Sequence, residues 1–291
     1  MSWVEAAPAK VNLFLHVGPV EVDGYHPLCS LVAFADVGDR LMLDPDGTPG
    51  LSVVGPFAGA LTGASAAQSD NLVLRALAAW AAATGLDTSG LSLTLDKRLP
   101  IAAGLGGGSA DAGAALRLVQ RYLAPEQDGE PLVRAAQVVG ADGPMCLAAV
   151  SAWAEGRGQV LTPEPRLPTL HAVLVNPGLP SPTGAVYGAF DRLGAGRADR
   201  PADPVRWDAG AVIGWLAEQR NDLEAPALLN TPAIGAALDA VRAEGQARLV
   251  RMSGSGATVF GLYDDAGSAA RAAGALAEAH PGWWVRPARL G

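Results

Sequence analysis

A glycine-rich loop, Gly104-Leu105-Gly106-Gly107-Gly108-Ser109, lies between a strand-like segment from Leu91 to Leu95 and a helical segment from about Ser109 to Tyr122. Glycines allow the backbone to approach a phosphate group closely, and the start of a helix adds free N–H donors and a favourable dipole. The loop is not the dinucleotide fingerprint G-x-G-x-x-G, because Ser109 stands where the third glycine belongs, and no Walker A lysine follows. It therefore predicts another kind of phosphate-binding loop, with a glycine loop that holds no ligand as the alternative.

A second glycine-rich segment, Ser253-Gly254-Ser255-Gly256-Ala257-Thr258, separates two strand-like stretches. Its amides and hydroxyls are suited to an anion-binding nest. A tight hairpin turn explains the same residues equally well, so both interpretations stay open.

Apolar and polar residues alternate from Ala9 to Val17, which predicts a half-buried strand. Lys10 and Asn12 share one face of this strand. They belong either to a solvated face or to a pair of polar groups that a rigid strand directs into a site. The periodicity alone favours the solvated face.

Asp142 lies in the turn Gly140-Ala141-Asp142-Gly143-Pro144, just before a predicted helix. Taken alone, the position favours a capping role, because Asp is a common N-cap residue. A kinase, however, needs a group that orients the attacking hydroxyl or accepts its proton, and an aspartate near a lysine meets this need.

The composition limits the classes of protein to which the chain can belong. A length of 291 residues suits two compact domains. The net charge of -8, without a run of Lys or Arg, argues against a nucleic-acid partner. No stretch approaches the ~20 apolar residues of a spanning helix, and the first residues lack signal-peptide features, so we expect a cytoplasmic protein with no membrane partner. Cys29 and Cys146 suggest neither a disulfide framework nor a zinc site.

Turn signals divide the chain into two parts. In the first part, an apolar stretch opened by Ser69-Asp70 and closed by Thr84-Gly85 predicts a capped helix. The proline-rich segment from Thr162 to Pro168 marks the crossing, so we predict domains at 1–161 and 162–291. The strand-like stretches of the second part are His171 to Asn176, Arg248 to Met252, Ala257 to Tyr263 and Trp284 to Arg286.

Several motifs, in this order along the chain, resemble those of the GHMP kinase superfamily. They are Pro8-Ala9-Lys10-Val11-Asn12-Leu13, Asp23-Gly24-Tyr25-His26, the stretch from Pro100 to Asp111, Gly140-Ala141-Asp142 and Ser253-Gly254-Ser255-Gly256-Ala257. The glycine loop and the serine–glycine turn mark the superfamily. The first two motifs are typical of its members that act on a cytidine diphosphate derivative of methylerythritol.

The resemblance covers nearly the whole chain and implies both a fold and an activity. The fold is an α+β, two-domain GHMP kinase fold with a ferredoxin-like C-terminal domain. The activity is ATP-dependent phosphorylation of the 2-hydroxyl of the cytidylated substrate in the non-mevalonate isoprenoid route. ATP and Mg²⁺ are the implied cofactors. The resemblance implies no metal ligand from the protein, because kinases of this family hold Mg²⁺ mainly through nucleotide phosphates and water.

The resemblance also implies roles for individual residues. Asp142 corresponds to the catalytic aspartate, and Lys10 to the lysine paired with it and with the transferring phosphate. Tyr25 and His26 correspond to residues that hold the cytosine ring, with Tyr187 as a second aromatic wall. The implied substrate-binding residues are Asn12, Tyr25, His26, Asp142, Thr183 and Tyr187. The implied ATP-binding residues are Asn71, Leu72, Lys97, Pro100, Gly104, Leu105, Gly106, Gly107, Gly108 and Ser109.

Gly143 departs from the family pattern, because it follows the aspartate where a β-branched residue is usual, and this bears on the stiffness of the turn. Asp111 is either a dipole-favoured acid in the first turn of the loop helix or a magnesium-shell contact, and we prefer the first.

A GHMP kinase with a mevalonate-type or sugar substrate is disfavoured by the Asp23 to His26 motif. A catalytically silent relative that senses a ligand is disfavoured by the presence of Lys10 and Asp142.

Overall fold

The computed structural model describes residues 3–62, 71–194 and 196–291, which form an α+β fold. The strands are β1 (Trp3–Asn12), β2 (His16–Val17), β3 (Leu28–Asp44), β4 (Gly50–Val54), β5 (Ser92–Asp96), β6 (Ala152–Gly156), β7 (Val160–Pro163), β8 (Leu170–Asn176), β9 (Leu249–Met252), β10 (Val259–Tyr263) and β11 (Trp284–Leu290). The helices are α1 (Gly59–Thr62), α2 (Leu72–Thr84), α3 (Gly107–Leu123), α4 (Glu130–Val139), α5 (Gly143–Ala148), α6 (Thr183–Leu193), α7 (Ala209–Ala217), α8 (Glu224–Asn230), α9 (Ala233–Ala243) and α10 (Ala266–Ala279). Across the described ranges, no helix has the length and apolar character needed to cross a membrane.

The chain folds into two compact units, and both are discontinuous in sequence. The first unit consists of Met1–Ala9, Gly38–Ile101 and Gly106–Ala149. The second unit consists of Lys10–Val37, Ala102–Leu105 and Val150–Gly291. The chain therefore passes from one unit to the other within β1, within β3, on both sides of residues 102–105 and between Ala149 and Val150. The predicted domains 1–161 and 162–291 are continuous segments, and that division stays a prediction.

In the first unit, β5 pairs antiparallel with the C-terminal part of β3 and parallel with β4. Helices α2, α3, α4 and α5 pack on one another. Helix α2 begins after Asn71, whose side chain accepts a hydrogen bond from the Val73 amide at 2.9 Å, and it ends at Gly85, which is left-handed with φ 73°. The predicted end at Thr84-Gly85 is confirmed, whereas the predicted start at Ser69-Asp70 lies outside the described residues.

In the second unit, four strands form an antiparallel arrangement in the order β11-β8-β10-β9. Along the chain, helices α6 to α9 separate β8 from β9, a tight turn joins β9 to β10, and α10 leads to β11. Helices α9 and α10 pack on these strands. This β-α-β-β-α-β order is the ferredoxin-like topology, and the predicted C-terminal fold is therefore confirmed.

A second pairing in this unit involves the N-terminal part of β3. Strand β6 runs antiparallel to it, from Leu28 opposite Gly156 to Val32 opposite Ala152. Strand β7 then forms a hairpin with β6. The tip of this hairpin therefore lies beside the beginning of β3.

The predicted half-buried strand from Ala9 to Val17 is wrong in two respects. Strand β1 ends at Asn12, and both faces of the segment are buried. The face predicted to be solvated carries Phe14, which packs edge-to-face against Trp153 at 5.9 Å. Lys10 and Asn12 are each only 6% exposed. The solvated-face interpretation is therefore excluded, and both polar side chains lie in the interior.

Candidate active site

The glycine loop takes a backbone that only glycine adopts readily at two of its positions. Gly104 and Gly106 have φ values of 72° and 62°. A Cβ added at Gly104 would collide with the carbonyl oxygen of Ser253. Gly106 occupies the N-cap position of α3, which begins at Gly107 rather than at the predicted Ser109. The N–H groups of the first turn have no acceptor within an α-helix, so this turn offers donors of the kind that bind phosphate.

Residues 102–105 and the serine–glycine turn contact each other within the second unit. The Ser253 hydroxyl donates to the Gly104 carbonyl at 2.9 Å, and the Thr258 amide donates to the Ala103 carbonyl at 3.0 Å. The turn joins the antiparallel strands β9 and β10, as the hairpin interpretation predicts. Whether it also binds an anion stays a prediction.

Lys10 and Asn12 lie at the end of β1, next to these two segments. The Lys10 amide donates to the Leu105 carbonyl at 2.9 Å, and the Asn12 amide donates to the Ser253 hydroxyl at 3.1 Å. The Asn12 side chain donates through Nδ2 to Ser30 at 2.8 Å, whereas its Oδ1 is buried without a hydrogen-bond partner. A buried carbonyl oxygen of this kind is costly unless something donates to it. Oδ1 is therefore suited to accept a hydrogen bond from a bound hydroxyl.

Asp142 occupies the N-cap position of α5 in the first unit. Its side chain makes no capping hydrogen bond to this helix. The capping role favoured by the isolated turn is therefore not supported. The side chain is not held by the helix end, which leaves the catalytic assignment as the prediction to test.

Gly143 is explained by close packing of two helices. A Cβ at this position would collide with the carbonyl oxygen of Ala136 in α4. The β-branched residue expected from the family pattern therefore does not fit here. Gly113 is similar, because a Cβ added there would lie 2.6 Å from the carbonyl oxygen of Cys146 in α5. Glycines at both contacts thus allow α5 to pack closely against α3 and α4.

Two of the residues predicted to bind adenosine lie beside the glycine loop. Asn71 caps α2, and a Cβ added at Gly108 would lie 3.1 Å from Leu72 Cδ1, so the first turns of α2 and α3 touch. Pro100 follows Leu99, whose amide donates to Asp39 Oδ1 at 2.8 Å. Their contacts with ATP stay a prediction.

Lys97, the third such residue, is engaged by the protein through its side chain and backbone. Its ammonium donates to Asp39 at 2.5 Å and to Asp111 at 2.6 Å, and the side chain is buried. Its amide donates to the Val54 carbonyl, and its carbonyl accepts from the Phe57 amide. A polar contact between Lys97 and ATP would therefore use the third N–H of the ammonium or the second lone pair of the carbonyl.

The three charged groups form a cluster beneath the start of α3, which we call the buried triad (Asp39, Lys97 and Asp111). A Cβ added at Gly107 would lie 3.1 Å from Lys97 Nζ. Burial lowers the pKa of Lys97, but the attraction of Asp111 and Asp39 outweighs burial, so the net shift is upward. Burial raises the pKa of Asp111 to about 8, against the opposite effect of Lys97 and with the support of Asp39. Burial therefore favours the protonated form of Asp111 in the folded protein.

The preferred interpretation of Asp111 is wrong. A dipole-favoured acid lies in the first turn of a helix. Helix α3 begins at Gly107, so Asp111 lies beyond its first turn. One of its oxygens binds Lys97, and the other, Oδ1, is buried without a hydrogen-bond partner. Sequence reasoning missed Asp39 altogether, because 58 residues separate it from Lys97 and no local motif marks the pair.

The residues predicted to hold the cytosine ring lie in the second unit. The ring of His26 is 5.0 Å from that of Tyr187, which is on α6. Nδ1 of His26 lies 2.9 Å from the Gly18 carbonyl, and Nε2 lies 3.4 Å from Asp191. Tyr25 as a whole is 57% exposed. An aromatic surface therefore exists where the sequence predicts the base.

Thr183 is the first residue of α6, and its hydroxyl lies 2.9 Å from that of Ser255. The start of α6 therefore contacts the serine–glycine turn. The structure thus connects one predicted substrate-binding residue directly with the second glycine-rich segment. Its contact with substrate stays a prediction.

Comparison with known proteins identifies the family. The model of the GHMP kinases N terminal domain matches residues 71–151, and that of the GHMP kinases C terminal region matches residues 208–282. A 4-diphosphocytidyl-2-C-methyl-D-erythritol kinase from Caulobacter vibrioides (strain NA1000 / CB15N) is 51% identical over 98% of both chains. A protein of the same name from Methylorubrum extorquens (strain PA1) is 48% identical over 98% of this chain and 97% of its own.

Solved structures show the same relationship. A crystal structure of 4-(cytidine 5'-diphospho)-2C-methyl-D-erythritol kinase superposes with a TM-score of 0.81 at 36% identity and covers 99% of each chain. The crystal structure of L. major mevalonate kinase in complex with R-mevalonate has a TM-score of 0.65 at 18% identity over 99% of this chain and 95% of its own, which shows the fold alone. The predicted GHMP kinase fold is therefore confirmed, and the chain belongs to the 4-diphosphocytidyl-2-C-methyl-D-erythritol kinase family of GHMP kinases.

Proposed function

We propose that the protein transfers the γ-phosphoryl group of ATP to the 2-hydroxyl of 4-diphosphocytidyl-2-C-methyl-D-erythritol, a step of the non-mevalonate route to isoprenoid precursors. The family relationship over nearly the full length supports ATP-dependent kinase activity. The observation that carries the choice of substrate is the contact between His26 and Tyr187, with ring centroids 5.0 Å apart. It provides an aromatic surface for a nucleobase, which stacks readily on such rings.

The reacting groups are assigned by chemical role. Phosphoryl transfer depends mainly on positioning and on stabilising charge at the transferring group. In this proposal Lys10 neutralises charge that develops on the phosphoryl group, and Asp142 orients the substrate hydroxyl or accepts its proton. Asn12 contributes the unpartnered Oδ1, which accepts a hydrogen bond from a substrate hydroxyl. The first turn of α3 binds phosphate oxygens through its N–H groups.

Mg²⁺ enters this proposal with the nucleotide. Within the described part of the chain, no group of three or more His, Cys, Asp or Glu side chains is arranged to hold a metal ion, and Asp111 is bound to Lys97. Mg²⁺ commonly keeps several waters and binds substrate phosphates with little help from protein ligands. Bound to ATP, it supplies neutralisation of the phosphate oxygens. The cytoplasmic location and the lack of a nucleic-acid partner stay predictions from the sequence.

Product analysis tests the proposed activity. We expect incubation with ATP and the cytidylated substrate to form ADP and one new phosphate monoester in equal amounts. Phosphorus NMR and mass spectrometry would place that phosphate on the tertiary carbon that bears the 2-hydroxyl. ADP formation without this product, or a phosphate on another hydroxyl, would contradict the proposal.

Gly106→Val tests the phosphate-binding role of the loop. The φ of 62° at Gly106 is a left-handed conformation that costs a branched residue roughly 1–2 kcal/mol, so the start of α3 should shift. We expect the KM for ATP to rise about tenfold, which corresponds to about 1.4 kcal/mol. Gly90→Val is the matched control, because nothing lies within 4 Å of an added Cβ there. Unchanged ATP affinity in folded Gly106→Val would mean that the loop has a structural role only.

Tyr187→Ala tests the aromatic site. Base stacking on an aromatic side chain is worth about 1–3 kcal/mol, so affinity for cytidine and uridine analogues should fall alike, by roughly 5- to 150-fold. Titration of both analogues, with the KM for ATP as a reference, measures the effect. Tyr122→Ala is the control, because Tyr122 packs against Trp3 in the first unit. If analogue affinity is unaffected by loss of Tyr187, the base binds elsewhere.

A further inference from the structure

Tyr25 projects from a tight turn just before His26. Its amide donates to Asp23 Oδ1 at 3.0 Å, and its carbonyl accepts from the Glu21 amide at 2.7 Å. Gly24 has φ 83°, as this turn requires. The backbone is therefore well fixed, whereas the residue as a whole is 57% exposed and its side chain lies outside the core. A ring in this position must be ordered before it can stack on a base.

Arg157 supplies that support from the tip of the β6–β7 hairpin. Its guanidinium carbon lies 4.7 Å from the centroid of the Tyr25 ring, over one face, and the guanidinium also pairs with Asp23. A single side chain thus contacts both the aromatic ring and the carboxylate of the same turn. Arginine suits this task, because its planar group stacks on a ring while its N–H groups bind a carboxylate.

The hairpin holds Arg157 in place. Its amide donates to Gln159 Oε1 at 2.6 Å, and the Gly158 amide donates to the Glu155 carbonyl at 3.0 Å. Gly156, which precedes Arg157, pairs with Leu28 at the beginning of β3, two residues after His26. The tip is therefore anchored to the same strand that follows the predicted base-binding residues.

We propose that Arg157 is a positioning residue for the cytidine base of the substrate. It covers one face of Tyr25 and fixes the ring, so that the base stacks on the opposite face without having to order the side chain itself. The inference rests on the proposed function, because it concerns the same base-binding residues. It adds a residue that lies 132 positions from Tyr25 in the sequence and outside every motif described above.

Arg157→Ala should therefore weaken nucleotide binding without impairing phosphoryl transfer. An exposed cation–π contact and an exposed ion pair together correspond to roughly a 3- to 30-fold loss of affinity. We expect a loss of this size in the Kd for cytidine diphosphate, measured by calorimetry, and in the KM for the cytidylated substrate. The kcat at saturation and the KM for ATP should stay near wild type. Arg157→Lys keeps the charge but not the planar stack, so its affinity for cytidine diphosphate should lie between those of wild type and Arg157→Ala.

A double-mutant cycle with Tyr25→Ala separates positioning from direct contact. If Arg157 acts through Tyr25, its removal in the Tyr25→Ala background should change affinity by less than about twofold. A full and independent loss in that background would show that Arg157 acts on the ligand itself and would overturn the inference. Arg166→Ala is the matched control, because Arg166 also lies over a ring, that of Trp207, and pairs with Glu164.

The failure of this inference is distinguishable from failure of the proposed function. Wild-type turnover of the cytidylated substrate together with unchanged affinity in Arg157→Ala would overturn the inference alone. A wild-type protein that neither binds cytidine diphosphate nor phosphorylates the cytidylated substrate would overturn both.

Discussion

Asp142→Asn is expected to lower kcat by roughly 10²- to 10⁴-fold, the usual contribution of a positioned acid–base group, with much smaller changes in ligand affinity. The amide has nearly the shape of the carboxylate but cannot take up the hydroxyl proton. Stability should change little, because asparagine keeps the shape of the side chain and no capping hydrogen bond to α5 is lost. Steady-state kinetics and thermal unfolding of the same preparation measure both effects.

An aspartate that truly caps a helix provides the control. Asp265 is the N-cap of α10, and its side chain accepts from the Ser268 amide at 2.9 Å. Asp265→Ala should lower stability, as loss of an N-cap does, and should retain kcat. If Asp142→Asn shows that same pattern, with near-normal turnover in the folded fraction, then Asp142 is a cap and the catalytic assignment is wrong.

Lys97→Met is expected to destabilise the protein by about 3–5 kcal/mol, because it leaves the buried carboxyl groups of Asp39 and Asp111 without the cation that both of them contact. Urea unfolding without nucleotide measures this loss. Arg134→Met is the control, since Arg134 and Glu130 form an exposed ion pair on α4 that is worth less than about 1 kcal/mol. Equal stability of the two variants would mean that the triad does not hold the start of α3.

The pH dependence of stability gives a second, independent readout of the triad. Burial raises the pKa of Asp111 to about 8 in the folded protein, whereas an unfolded Asp titrates near about 3.9. Between these values the folded state holds a proton that the unfolded state has released, so this contribution to stability falls as pH rises from about 4 to about 8. Lys97 stays charged over this range, because the attraction of its two carboxylates raises its pKa despite burial.

Asp111→Asn removes that titration. The unfolding free energy of wild type should therefore decline relative to the variant as pH rises through this window. Parallel curves for the two proteins would show that Asp111 is ionised in the folded state throughout. The comparison is a difference between two proteins at each pH, so the other titrating groups largely cancel.

Local patterns were sufficient to predict much of the fold. The glycine loop between β5 and α3, the capped end of α2 at Gly85 and the strands of the ferredoxin-like region all follow from periodicity and turn residues within a short segment. Each of these features depends on neighbours in sequence. The structure shifts their boundaries, as at the start of α3, but keeps their type and order.

Features that depend on distant partners could not be predicted in this way. The alternation around Lys10 suggests a solvated face, yet packing in the second unit buries both sides of the segment. The need for Gly143 becomes visible only when α4 is placed beside it. Arg157 occupies an ordinary hairpin tip in the sequence, and its contact with Tyr25 exists only in three dimensions.

This kinase is expected to select an acceptor that carries cytidine. The direct measurement is kcat/KM, at saturating ATP, for the cytidylated methylerythritol substrate, for methylerythritol 4-phosphate, which lacks the cytidine, and for mevalonate. A site that recognises the base by stacking and hydrogen bonds should favour the cytidylated acceptor by at least roughly 10³-fold over either competitor. Comparable kcat/KM values for the three acceptors, or a higher value for mevalonate, would contradict selection of the cytidylated acceptor.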